Sequence, residues 1–161
     1  MNTPHRHSTL WGRVCIWLIA MCCVPGILPR SIHAEGGEQL WAVLIVASIE
    51  EQRGEVPEKL KEFSEQMDEI FGYNTYKILE EKNKPLDLLD SPIEVTSQPF
   101  SMVLNYKGMQ DKCHQFAFQL FQKQEEIVKS DIAVAPGSPW YIRGPTWGSS
   151  ELIILILTRP M

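Results

Sequence analysis

The sequence predicts an α+β domain, with one amphipathic helix packed on a mainly antiparallel sheet of five to seven strands in two layers. Three observations lead there. A single helical stripe, Val56, Leu60, Phe63, Met67, Ile70 and Phe71, recurs at steps of three and four. Behind it, residues 100–106 and 116–121 alternate along the chain with the period of two that a half-buried strand shows. The first and last apolar runs, residues 40–49 and 152–158, are continuous, as in strands covered on both faces.

The first 34 of the 161 residues contain no Asp or Glu. Arg6 and Arg13 precede an apolar run over residues 14–28, and a short polar stretch ends at Ala34. A basic start, a short apolar middle and a small residue before a cut are the marks of a secretory signal peptide. Cleavage is expected after Ala34, leaving residues 35–161 as one α+β domain. An uncleaved anchor is the alternative, although the run is shorter than the roughly 20 apolar residues of a spanning helix. Met21 before Cys22 is not the small residue that lipidation at that cysteine would want.

Residues 35–39 read as a short flexible start and 40–49 as the first strand. A charged connection with Gly54 follows. Pro57 suits a first helical turn, where a missing N–H costs nothing, and Glu58 suits the positive helix start. Gly72 is placed to stop the helix after about 15 residues. Residues 73–80 are aromatic and β-branched, a strand, and the charged, proline-containing stretch 81–92 reads as a loop. Residues 93–97 give a short edge strand, 100–106 a half-buried one, and 107–112 a hairpin connection. Residues 116–121 pair back, 122–126 turn, and 127–134 form a weaker strand. Residues 135–150 are rich in Gly, Pro and Trp and read as a loop in which Tyr141 and Ile142 add a short bridge. The first and last strands should lie centrally, side by side. A helix joining strands one and two favours a right-handed parallel crossover if both share a sheet.

Charge narrows the partners. The whole chain has 15 basic and 20 acidic residues, a net charge of −5. Three arginines and no acid lie in residues 1–34, so the remaining 127 residues carry −8. Such a surface repels phosphate backbones, and no nucleic-acid partner is expected. Membrane contact is expected only through an uncleaved leader. One cysteine, Cys113, remains after cleavage, so no internal disulfide can form, and there is no Asn-x-Ser/Thr acceptor. Both features suit an exported bacterial protein, periplasmic or secreted.

The chemical inventory is thin, and the expectation is a protein that is not an enzyme and carries no cofactor or metal. His114 is the one histidine after residue 34. Beside Cys113 in an extended segment it points to the opposite face, so the two are poorly placed as base and nucleophile. Cys113 is expected to pack as a small apolar residue and His114 to be solvated. One His and one Cys cannot make a structural zinc site, and 87–90 (DLLD) lacks calcium-loop spacing. Gly144 and Gly148 are not followed by a helix, as a phosphate loop would require. The charged side of the 58–69 helix reads as its wet face.

Residues 138–151 carry the most information. Trp140, Tyr141 and Trp147 lie within eight residues, with Arg143 the only cation. Trp, Tyr and Arg are the usual anchors of binding interfaces. The same rings also suit a lid that closes the end of a sheet. These four residues are the candidate binding site, for an envelope protein partner or, alternatively, for a sugar, peptide or apolar small molecule. The order of features, with 70–79 (IFGYNTYKIL) ending the helix and Trp147-Gly148 leading into Leu152-Ile153-Ile154, resembles a family of uncharacterised small secreted bacterial envelope proteins. That resemblance covers most of residues 41–158. It implies a compartment and no activity. The function expected is therefore a non-enzymatic extracytoplasmic protein acting by protein–protein contacts in the bacterial envelope; oligomeric state stays open.

Overall fold

A computed structural model describes residues 37–88 and 91–161. The expected leader, residues 1–34, lies outside the described residues. The elements are β1 (Glu38–Ser48), a 3₁₀ segment (Glu58–Phe63), α1 (Ser64–Phe71), β2 (Thr75–Pro85), a short 3₁₀ turn (Leu86–Leu88), β3 (Ile93–Ser97), β4 (Phe100–Gln110), β5 (Cys113–Gln122), β6 (Glu125–Val134), β7 (Trp140–Trp147) and β8 (Ser150–Pro160). Mixed α+β structure with little helix and mostly antiparallel strands is what the pattern of periods predicts. The single sheet of five to seven strands is not what forms. The strands divide into two four-stranded sheets, ordered β2-β1-β8-β7 and β3-β4-β5-β6.

The two most apolar strands, β1 and β8, are neighbours at the centre of the first sheet, antiparallel from Glu38 opposite Pro160 to Ala47 opposite Glu151. Their continuous apolar sequence has a direct cause. Leu40, Ala42 and Leu44 of β1 and Leu152, Ile154 and Ile156 of β8 face a core shared with Met102, Phe116, Phe118 and Leu120 of the second sheet. The intervening Trp41, Val43, Ile45, Ile153, Leu155 and Leu157 face a second core formed with Leu60, Phe63 and Met67. The arrangement is therefore three layers, helical segment, sheet and sheet. The predicted two layers fail because strands this apolar need cover on both faces.

The helical stripe is buried at Leu60, Phe63 and Met67, while Ile70 stays half exposed. The helix breaks into a 3₁₀ turn and an α-helix, with the Ser64 hydroxyl donating to the Lys61 carbonyl at the junction. Gly72 ends it in the left-handed conformation (φ +75°), its N–H bonding the Asp68 carbonyl, as expected. The helical stretch does not carry the chain across to a parallel strand. Asn74 pins its far end beside its start: its side chain accepts from the Glu50 N–H and donates to the Glu50 carbonyl. β2 thus begins next to the end of β1 and runs antiparallel to it, from Thr75 opposite Ser48. It continues to Pro85, through part of the stretch predicted as loop. Leu79 is the extra residue of a bulge; Ile78 packs on the helix side and Leu79 on the inter-sheet core.

The second sheet is a meander. β4 runs to Gln110, so the predicted 107–112 connection shrinks to Asp111-Lys112, both with positive φ, as a two-residue hairpin turn requires. Residues 135–150, predicted as loop, contain the eight-residue strand β7, paired to β8. No helix among the described residues is long and apolar enough to cross a membrane, which says nothing of a β-barrel.

Candidate functional site

The four aromatic and cationic candidates all lie on β7, the edge of the first sheet. The prediction missed this strand because its Gly, Pro and Trp content reads as loop, while the alternation Trp140, Tyr141, Ile142, Arg143 is that of a strand between two covers. Trp140 and Ile142 pack on the inter-sheet core. Tyr141 packs on the helix side. The register slips between Arg143 and Thr146. Gly144 permits this bulge, because a Cβ there would stand 3.0 Å from the Leu152 side chain. Pro145 has no N–H to offer a further strand.

On the helix side, the Tyr141 ring meets the edge of Phe71 at 5.9 Å between centroids, and its hydroxyl donates to Gln66 at 3.1 Å. The Arg143 guanidinium lies 5.6 Å from the Phe71 ring centre and donates to the Phe71 carbonyl at 3.3 Å. Its Nε also sits 3.2 Å from Glu151 Oε2, the oxygen that accepts from the Tyr73 hydroxyl at 2.8 Å. Glu151 is buried. Tyr141 and Arg143 thus join Phe71, Tyr73 and Glu151 in a latch that holds the end of α1 to β7 and β8. Sequence reasoning missed Tyr73 and Glu151. The signal was an acid at the head of six apolar residues, which needs a partner if it is buried.

The latch shifts the two tyrosines. The hydrogen bond to Glu151 raises Tyr73, followed by burial. Burial, with Glu62 nearby, pushes Tyr141 up to about 12. Unfolded tyrosine titrates near 10. The folded state holds the Tyr141 proton longer, so this stability is complete below about pH 10 and is lost as pH climbs toward 12. The denaturant midpoint should therefore fall between pH 9 and 11.5, and Tyr141→Phe should show a shallower fall. An equal slope in the variant would mean that Tyr141 contributes none of this pH dependence.

On the opposite side, the Trp140 and Phe118 rings meet edge-on at 6.2 Å, and Trp147 meets Phe100 the same way at 5.8 Å. Trp140 is partly buried against the core. Trp147 remains 43% exposed. The four candidates do not form one surface: two belong to the latch, one to the core edge, and Trp147 faces solvent.

His114 is corrected from solvated to buried, 2% exposed, with Cys113 half-buried. Its strand position turns it into the inter-sheet space. Nδ1 lies 3.1 Å from the Tyr106 hydroxyl, and Nε2 lies 2.8 Å from Glu38 Oε2, a close contact outside hydrogen-bond alignment. Burial and then Glu38 push Tyr106 up, keeping the phenol protonated. The trio ties the start of β1 to the second sheet. Among the described residues no cluster of three or more His, Cys, Asp or Glu side chains could hold a metal ion. No protein-family model, no curated protein and no solved structure matches the chain.

Proposed function

We propose that this is an exported, non-enzymatic protein that works by contact with another protein in the bacterial envelope. The observation that carries the reading is Trp147, a large aromatic 43% exposed at the end of an edge strand and seated on Phe100. Ile49, 71% exposed, follows the last β1 residues at the same end of the sheet, since Ala47 lies opposite Glu151 and Trp147 opposite Ser150. A tryptophan with one flank open to solvent and the other seated on an aromatic ring is the kind of anchor that binding hot spots favour. Export rests on the leader pattern of residues 1–34.

The small-ligand reading is favoured by one feature, an open hollow of about 540 Å³ at the β3–β4 turn. It is lined by Glu94, Gln98, Pro99, Phe100 and Lys123, and so shares Phe100 with the Trp147 contact. One experiment separates the two. Tagged full-length protein and its Trp147→Ala variant are crosslinked in bacteria and captured, and tryptophan emission is followed with a panel of sugars and peptides. A recurrent protein partner lost in the variant supports the first reading. Equal capture by both, together with a saturable emission change on adding a small molecule, supports the second.

A further inference from the structure

We infer that the free edge of β6 is a docking site for a second copy of this chain, paired antiparallel about a two-fold axis through Ser130. The site is separate from Trp147. Three of the four sheet edges are short or carry a proline, devices against strand addition: β3 has five residues, β7 has Pro145 at its bulge, and β2 ends in Pro85. β6 has ten residues without glycine or proline; its one bulge, at Ile127, lies near its start, and among the described residues nothing pairs with its far side. It also leaves Ile127 and Val128 exposed, 38% and 37%.

The occupant follows from the residues along the edge. From Val128 to Val134 the pairing with β5 is regular, with Val128, Ser130 and Ile132 opposite the core residues Leu120, Phe118 and Phe116, and Lys129 and Asp131 opposite Gln119 and Ala117 on the outer face. A two-fold axis perpendicular to the sheet keeps each side chain on its own face and sets residue 130 − n opposite 130 + n of the second copy. Lys129 then meets Asp131 of the second copy, twice by symmetry. On the inner face Val128 meets Ile132 of the second copy, also twice, and the small Ser130 faces itself. Moving the axis by one residue sets Lys129 against Lys129 or Asp131 against Asp131. The charge pattern thus suits one register and opposes its neighbours. Lys107, the other charged group on Asp131, comes from β4 at 2.6 Å and leaves a carboxylate face free for a second cation. The two second sheets would join into one of eight strands.

The test uses full-length protein followed by sedimentation across a concentration series. Lys129→Glu and Asp131→Lys each oppose like charges at both symmetric positions, and each should weaken self-association on the order of tenfold or more. Mixed together, the two variants restore opposite charges at both positions and should form a heterodimer. With the native cysteines replaced by serine, Ser130→Cys should crosslink to itself under mild oxidation, since directly opposed residues stand at disulfide distance. Lys129→Cys, offset by two residues from its own copy, should not. The inference is overturned by a parent chain that stays monomeric throughout, by a dimer that Lys129→Glu leaves unchanged, by a variant mixture that stays monomeric, or by equal crosslinking at the two positions.

Discussion

Ile154→Ala and Leu155→Ala should each destabilise the domain by about 2–5 kcal/mol, the range for truncating a buried aliphatic side chain. These neighbours in β8 point to opposite faces of the sheet, yet both are fully buried. Ile154 lies in the inter-sheet core with Phe116 and Phe118, and Leu155 in the helix-side core with Leu60 and Met67. In a two-layer domain one of the two would face water, and truncating it would change stability by about 0.5 kcal/mol or less. Denaturant midpoints of the two variants therefore count the layers. A small loss at Leu155 alone would remove the helical cover, and a small loss at Ile154 alone would remove the second sheet.

Trp140→Ala and Trp147→Ala, seven residues apart on one strand, should behave oppositely. Trp140 is partly buried on the inter-sheet core against Phe118, and its loss leaves a cavity at the rim, for about 2–3 kcal/mol, below the full range for a buried tryptophan. Trp147 keeps one flank in water and one ring contact, to Phe100, so its loss should cost about 1 kcal/mol or less. A double variant would mix unfolding with lost binding. Thermal melts of the single variants distinguish the rim of the core from the surface, and reversed magnitudes would move the binding assignment from Trp147 to Trp140.

Much of the fold was legible wherever periodicity had one cause. The Leu60, Phe63 and Met67 stripe, the Gly72 stop, and the adjacency of β1 and β8 follow from spacing and apolar content. The second sheet and the third layer were not legible, because alternation in Phe116 and Phe118 reports one buried face and not what covers it. Continuous burial in residues 152–157 was the available sign of a second cover. Strand β7 was hidden because Gly144 and Pro145 signal a turn locally, whereas β8 accommodates them as a bulge. Of the site, the types of Trp140, Tyr141, Arg143 and Trp147 stood out, but their division between faces depends on that bulge. Glu151 and Tyr73, far apart in sequence, meet only through the helix end. His114 was misplaced because its partners Glu38 and Tyr106 lie on other strands.

The most direct measurement places a photocrosslinking amino acid at position 147 of the full-length protein in living bacteria, with position 65 on the exposed helix face as control. A binding role for the β7–β8 end predicts one recurrent envelope protein joined at 147 and absent at 65. Adducts that are equal at the two positions, or none at 147 from a protein that is folded and exported, would contradict it.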